Sequence, residues 1–168
     1  MCDLMNSLEL EKIAKKLKWK NFLGVFAADQ LSQIPSKKCG MLIFNTDISE
    51  KRGEHWIAVC LTQKNIFYFD SLNHDFIFLS EIVNFLLRLK KNVFYNKINT
   101  QQNYSNTCGK QCAVFCDYMT GNMTKSRYCK FLNTYAPFNV EERDKLTILH
   151  FSIILNKLGS THSTIVGS

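Results

Sequence analysis

Apolar residues recur every three or four positions in four stretches of the chain, which is the spacing of one face of an α-helix. The first stretch follows Asn6 and Glu9, a pair typical of a helix-capping box. Ser80 is placed to cap the second stretch, and Gly121 and Gly159 are placed to end the third and fourth. We therefore predict helices with the apolar faces Leu10, Ile13, Ala14 and Leu17; Ile82, Phe85, Leu86 and Leu89; Cys108, Cys112, Phe115, Cys116 and Met119; and, within 141–158, Leu146, Leu149, His150, Ile153 and Ile154.

Short and almost continuous apolar runs between the first and third helices predict buried β-strands. They are separated by polar turns and lie at 40–45, 55–61, 66–70 and 93–95. Residues 122–138 are basic and show no regular pattern, so we expect irregular structure there. The order of these elements predicts an α+β fold, with a small mixed central β-sheet flanked by helices.

The length of 168 residues and the hydrophobic fraction of 46% are typical of one globular domain with a full core. We place this domain at residues 1–159 and a flexible tail of small, polar residues at 160–168. No apolar run reaches the roughly 18 residues that span a bilayer, and the N-terminal residues lack the layout of a secretory signal. We expect an intracellular monomer that is not secreted and has no membrane partner.

The seven cysteines and the formal charge of +7 narrow the class of protein further. An odd number of cysteines without a secretion signal favours free thiols. No C-x-x-C pair occurs, so we expect no structural metal site. The basic surplus favours nucleic acid as a partner, and a solvated basic surface is the alternative.

Cys108 has the sequence context of a nucleophile. It follows Asn106 and Thr107, either of which could cap a helix that starts at the cysteine. The free N–H groups at a helix N-terminus favour an anion, and the thiolate is the reactive form of cysteine. Gln101 and Gln102 lie a few residues upstream, and either could donate an amide N–H to an oxyanion. The alternative is a buried cysteine that only begins a core helix.

His55 opens the second predicted strand, and Asp70 ends the third. If these strands pair as a hairpin, both residues come to the same end of the sheet. Thiol catalysis needs such a set: a cysteine, an imidazole that activates it and a carboxylate that orients the imidazole. Taken alone, a histidine at a strand edge or an aspartate after a strand more often has a surface or turn role.

The order of these residues resembles the adenovirus-type maturation protease (adenain) and, more distantly, the SUMO-deconjugating proteases that share its fold. The likeness covers roughly residues 6–120 and is carried by short motifs. These are Gly53-Glu54-His55-Trp56, the hairpin ending in Phe69-Asp70, the upstream glutamine, Cys108-Gly109, and Cys112 one helical turn later. The first helix followed by Phe22-Leu23-Gly24, and the strand ending in Phe44-Asn45-Thr46, are also similar to the start of adenain.

The resemblance implies a papain-like catalytic arrangement with the nucleophile at a helix N-terminus. The catalytic residues that it implies are His55, Asp70, Cys108 and an oxyanion glutamine. Spacing from the cysteine favours Gln101 by analogy with adenain and Gln102 by analogy with the SUMO-protease branch, so both stay candidates. The candidate substrate-binding residues are Gly53, Glu54 and Trp56, with a plain core role as the alternative for the tryptophan.

The implied function is that of a viral cysteine endopeptidase, located in the host nucleus and the virion. Such an enzyme cleaves precursor capsid and core proteins at small-residue, glycine-containing sites. Adenain is stimulated by DNA, which fits the charge of +7, and by a viral peptide tethered through a cysteine upstream of the glutamine. Residues 90–102 contain no cysteine, which argues against a peptide cofactor here, and we expect no obligatory cofactor. The alternatives are a deconjugating protease for ubiquitin-like modifiers and a non-enzymatic, basic module that binds nucleic acid.

Overall fold

The fold is built on a five-stranded sheet with the strand order β1-β2-β3-β4-β5. The computed structural model describes residues 5–51, 53–74 and 80–160. The strands are β1 Phe22–Phe26, β2 Gly40–Asn45, β3 Trp56–Leu61, β4 Asn65–Phe69 and β5 Asn92–Tyr95. The helices are α1 Ser7–Lys16, a 3-10 helix Ala28–Gln33, α2 Ser80–Leu89, α3 Cys108–Met119, α4 Lys125–Tyr135 and α5 Val140–Ser160.

Parallel and antiparallel strand pairs both occur in the sheet. The outer pairs β1–β2 and β4–β5 are parallel, whereas β2–β3 and β3–β4 are antiparallel. Ala58 on β3 lies opposite Phe69 on β4, so these two strands form the predicted hairpin. The predicted α+β class with a mixed central sheet is confirmed.

Helices cover both faces of the sheet, which explains why β2 and β3 are apolar along their whole length. All six residues of each of these strands are buried. Ala58 and Phe69 belong to the core on the side of α1, α3, α4 and α5. Val59 and Tyr68, their neighbours along the strands, belong to the core on the side of α2 and the 3-10 helix.

The starts of α1 and α2 follow from their sequences. The Glu9 N–H donates to Asn6 Oδ1 at 3.0 Å and the Asn6 N–H donates to Glu9 Oε2 at 2.8 Å, which confirms the capping box. Ser80 lies within the described part of helix α2, and the predicted apolar face of this helix is buried. Among the described residues, no helix is long and apolar enough to cross a membrane.

The prediction of irregular structure at 122–138 is wrong, because α4 occupies most of this segment. Thr124 caps the helix by accepting a hydrogen bond from the Arg127 N–H at 3.3 Å. Tyr128, Phe131 and Tyr135 are buried at the spacing of one helix face. These three aromatic residues, with the partly buried Leu132, anchor a helix whose other positions are mostly polar.

Helix α5 also departs from its prediction. It continues through Gly159 to Ser160, and Leu149 and Ile153 of the predicted face are exposed. The buried face instead consists of Asp144, Thr147, Phe151 and Ile154. Residues 161–168 of the predicted tail lie outside the described residues.

Strand β1 has no counterpart among the predicted strands. Its five residues are all half-buried, and four of them are apolar, so no alternation of apolar and polar positions marks the strand. Gly24 has a φ angle of +134°, and the register with β2 shifts between Phe22 and Gly24. A bulged, glycine-containing edge strand therefore lacks the usual strand pattern.

Candidate active site

The β3–β4 hairpin brings His55 and Asp70 to the same end of the sheet. His55 directly precedes β3, and Asp70 directly follows β4. The His55 Nε2 atom lies 2.6 Å from Asp70 Oδ1, and the side chains are 7% and 2% exposed. The two residues thus form a buried imidazole–carboxylate pair.

The orientation of Asp70 is fixed by the turn that follows it. Asp70 Oδ1 accepts a hydrogen bond from the Leu72 N–H, and Oδ2 accepts one from the His74 N–H, both at 2.9 Å. Asn96 holds the backbone, since its Oδ1 accepts from the Asp70 N–H at 2.9 Å and its Nδ2 donates to the Asp70 carbonyl at 2.6 Å. The carboxylate is therefore aimed at His55 without relying on that contact alone.

Cys108 is the first residue of α3, and its thiol lies close enough to the His55 imidazole to help raise the pKa of that imidazole. Because Nε2 of His55 faces Asp70, the other ring nitrogen is left for the sulfur. Phe115 of α3 stacks on Phe69 of β4 with ring centroids 4.9 Å apart, which fixes the helix against the strand that ends at Asp70. Packing of α3 on the sheet therefore brings the thiol to the imidazole–carboxylate pair.

The electrostatics of the site favour a protonated imidazole. Burial alone would lower the pKa of His55, but hydrogen bonds to Asp70 and Cys108 outweigh burial and raise this pKa from 6.5 to about 9. Burial alone would raise the pKa of Asp70, but the hydrogen bond and charge of His55 bring it below its ordinary value. At neutral pH an imidazolium thus lies between the Asp70 carboxylate and the Cys108 sulfur atom.

The other described cysteines lack this environment. Burial raises the pKa of the Cys60, Cys112 and Cys116 thiols well above the ordinary value, so all three are poor nucleophiles. Cys39 and Cys129 are exposed free thiols. Among the described thiols, only Cys108 therefore shares a hydrogen bond with a histidine that is itself oriented by a carboxylate.

The two candidate glutamines lie in the loop before α3 and have different surroundings. Gln101 is buried, its Oε1 accepts from Ser71 Oγ at 2.7 Å, and its Nε2 donates to the Ser105 carbonyl at 2.6 Å. Gln102 is only partly buried, and its Oε1 accepts a hydrogen bond from the exposed Tyr104 hydroxyl. The Gln101 amide is thus used to hold the loop, whereas the Gln102 amide lies nearer to solvent.

A cleft of about 830 Å³ is lined in part by Trp56, next to His55 in the chain, and by Asn106, two residues before Cys108. Gly53 and Trp56 line it, whereas Glu54 is exposed and does not. Trp56 is 8% exposed and its Nε1 donates to the Met5 carbonyl at 2.8 Å, so it serves the core as well as the cleft wall. A Cβ atom at Gly53, whose φ is +82°, would lie 2.4 Å from the Asn45 side chain, so only glycine fits there.

Among the described residues, one group of side chains has the composition of a metal site: His55, Asp70 and His74. Each offers one ligand atom, and these atoms all lie within 4.8 Å of one another. Two ligands of one zinc ion lie about 3.3 Å apart, given bonds of about 2.0 Å and tetrahedral angles. The His55 and Asp70 atoms are only 2.6 Å apart. Their separation fits a shared proton rather than an ion.

Several residues around the site could not be recognised from their sequence context. Ser71 and Asn96 hold the backbone of Gln101 and Asp70, and Asp144 of α5 is buried against the loop before Cys108. Ser71 and Asn96 have no distinctive pattern around them. Asp144 does carry a signal, because Thr147, Phe151 and Ile154 follow it at the spacing of one helix face.

No protein-family model matches the chain, and no curated protein matches it either. Among solved structures, the fold is similar to one described as "SUMO protease Ulp1 with the catalytic cysteine oxidized to a sulfonic acid". That alignment has a TM-score of 0.49 and 15% sequence identity, and it covers 93% of this chain and 79% of the other.

Proposed function

We propose that the protein is a cysteine endopeptidase with Cys108 as nucleophile, His55 as general base and acid, and Asp70 as the group that orients His55. The observation that carries the proposal is the buried contact series from Asp70 to His55 to Cys108. Three residues far apart in sequence meet at the start of a helix, with the nucleophile beside an imidazole that is hydrogen-bonded to a carboxylate. This is the arrangement that thiol catalysis requires.

The reaction follows from these positions. The Cys108 thiolate attacks the scissile carbonyl carbon, and the carbonyl oxygen takes up the electron pair as an oxyanion. When the C–N bond breaks, the His55 imidazolium gives its proton to the leaving amine, and an acyl-enzyme remains. His55 then takes a proton from water, whose oxygen attacks the thioester and releases the carboxylic acid and Cys108.

For the oxyanion donor we favour Gln102. Both polar ends of the Gln101 side chain are engaged inside the protein, by Ser71 and Ser105. Gln102 lies nearer to solvent, and within its side chain only the Oε1 atom has a hydrogen-bond partner among the described residues. Gln102→Ala should lower kcat by about 10²-fold, whereas Gln101→Ala should chiefly lower the free energy of unfolding.

The substrate that we propose is a viral structural precursor cleaved at a glycine-containing site, with DNA as an activator. The sequence motifs around His55, Asp70 and Cys108 that resemble adenain support the substrate. The formal charge of +7 supports the activator, because a basic surface binds the phosphate backbone. The exposed Cys39 and Cys129 thiols serve as internal controls for any reagent aimed at Cys108.

The test is labelling of the whole protein with a peptide vinyl sulfone ending in Gly-Gly or Gly-Ala, with and without duplex DNA, located by mass spectrometry. Selective labelling of Cys108, faster with DNA, would support the proposal. Labelling by a ubiquitin-like C-terminal probe but not by short peptides would replace the substrate class with a modifier conjugate. Equal labelling of Cys39, Cys108 and Cys129 would contradict a cysteine protease.

A further inference from the structure

A carboxylate on the last helix lies buried against the loop that leads to the nucleophile. Asp144 of α5 is 3% exposed. Its Oδ1 accepts a hydrogen bond from the Thr107 hydroxyl, and its Oδ2 accepts from the Gln102 N–H at 3.4 Å. Among the described residues, no cation forms a salt bridge with it, so neutral donors alone satisfy this charge.

Gln111 of α3 joins the same hydrogen-bond network around Asp144. Gln111 Nε2 donates to the Thr100 carbonyl at 2.8 Å and lies 3.4 Å from Asp144 Oδ1, and its Oε1 accepts from the Thr147 hydroxyl at 2.9 Å. All of these groups are nine-tenths or more buried. The network therefore ties α5 and α3 to both ends of the loop that carries the glutamines.

Thr107 occupies the position from which a side chain normally caps a helix. A threonine there usually accepts a hydrogen bond from an N–H of the first turn. In this protein the Thr107 side chain makes no such bond; its hydroxyl donates to Asp144 instead and lies 2.8 Å from Ser105 Oγ. Asp144 thus draws the hydroxyl away from the helix end at which Cys108 lies, where unpaired N–H groups favour negative charge.

We propose that Asp144 is a positioning residue for the reaction: it fixes Thr107 and Gln102, and through them the nucleophile and the oxyanion donor. This role rests on the proposed cysteine-protease function. It acts on kcat rather than on substrate affinity, because Asp144 lies on the core side of the loop. A displacement of about 1 Å at reacting groups costs about 10²-fold in rate, so loosening the loop has a large catalytic effect.

Two pairs of variants test the proposal. Thr107→Val removes the hydroxyl with little change of shape, and Thr107→Ser keeps it. Asp144→Ala removes the carboxylate, and Asp144→Asn keeps one oxygen acceptor. We expect kcat to fall by about 10- to 100-fold in Thr107→Val and Asp144→Ala with KM nearly unchanged, and to be largely restored in Thr107→Ser, with Asp144→Asn between.

Tyr128→Phe is the matched control for a loss of stability alone. It removes a buried hydrogen bond of 2.7 Å from the Tyr128 hydroxyl to the Tyr68 carbonyl, away from the loop. Urea unfolding of each variant establishes a temperature at which all of them are folded, and the kinetic assays are run at that temperature. The double variant Thr107→Val with Asp144→Ala should lose less kcat than the two single losses combined, because both substitutions remove the hydrogen bond between Thr107 and Asp144.

The outcomes separate the two proposals. If wild-type Cys108 reacts selectively and the Thr107 and Asp144 variants keep the kcat of Tyr128→Phe, the positioning role is overturned and the protease stands. If wild-type Cys108 shows no selective reaction, the proposed function fails, and the positioning role fails with it. A kcat loss that Thr107→Ser also shows would equally overturn a role for the hydroxyl.

Discussion

The raised pKa of His55 makes the stability of the fold depend on pH in a defined window. The folded protein holds this proton up to about pH 9, whereas an unfolded chain releases it near 6.5. Since the folded state binds the proton more tightly, the stabilisation is complete below pH 6.5 and is lost as the pH rises to about 9. The two pKa values correspond to about 3 kcal/mol of unfolding free energy, at about 1.36 kcal/mol for each pH unit between them.

The assay is urea unfolding followed by tryptophan fluorescence at a series of pH values from 6 to 10, under reducing conditions. Asp70→Asn keeps the shape of the partner but removes its charge, so the loss of stability over this range should shrink to less than about half. Cys108→Ala should reduce it less, because the hydrogen bond to Asp70 raises the pKa of His55 more than the bond to Cys108 does. If Asp70→Asn loses as much unfolding free energy as the wild type between pH 6.5 and 9, the reasoning is refuted.

Three further predictions concern catalysis, the activator and packing next to the nucleophile. Cys108→Ala and His55→Ala should abolish peptide cleavage. Asp70→Ala should retain residual activity, because the carboxylate orients the imidazole without reacting. A normal kcat/KM in His55→Ala would contradict the proposed catalytic site. Stimulation by duplex DNA should fall steeply between about 50 and 200 mM salt as counterion release requires, and stimulation that ignores salt would exclude phosphate contacts. Gly109→Ala should cost about 1–3 kcal/mol in urea unfolding, because the new Cβ would lie 2.8 Å from Met5 Cβ. Adding Met5→Gly should recover most of that loss, and no recovery would show that the contact is not its cause.

The elements that position the site could be read from the sequence where local pattern and tertiary packing agree. Strands β2, β3 and β4 are short apolar runs between polar turns, and this pattern also fits a sheet covered on both faces. The β3–β4 hairpin then requires that His55 and Asp70 come to one end of the sheet. Their contact follows from topology once the turn between the strands is short.

The supporting residues could not be predicted in the same way, because their roles depend on contacts far along the chain. On α5 the apolar residues outnumber the inward positions, and Leu149 and Ile153 face outward. The inward face includes Asp144 and Thr147, which bind polar groups of the loop and of α3. A rule that places the most apolar residues inside therefore selects the wrong face of this helix.

The hydrogen bond between Thr107 and Asp144 joins residues 37 positions apart. During synthesis this bond therefore forms later than the contacts among residues before Thr107. A ribosome adds about 5–20 residues per second, so a growing chain carries Thr107 for about 2–7 s before Asp144 has been made. Throughout that interval the loop beside Cys108 lacks its contact with Asp144. If Asp144 is the positioning residue that we propose, Cys108 should react more slowly until α5 has been made. Nascent chains stalled before and after α5 should then show faster Cys108 labelling in the longer chains, and equal labelling rates in both would contradict this expectation.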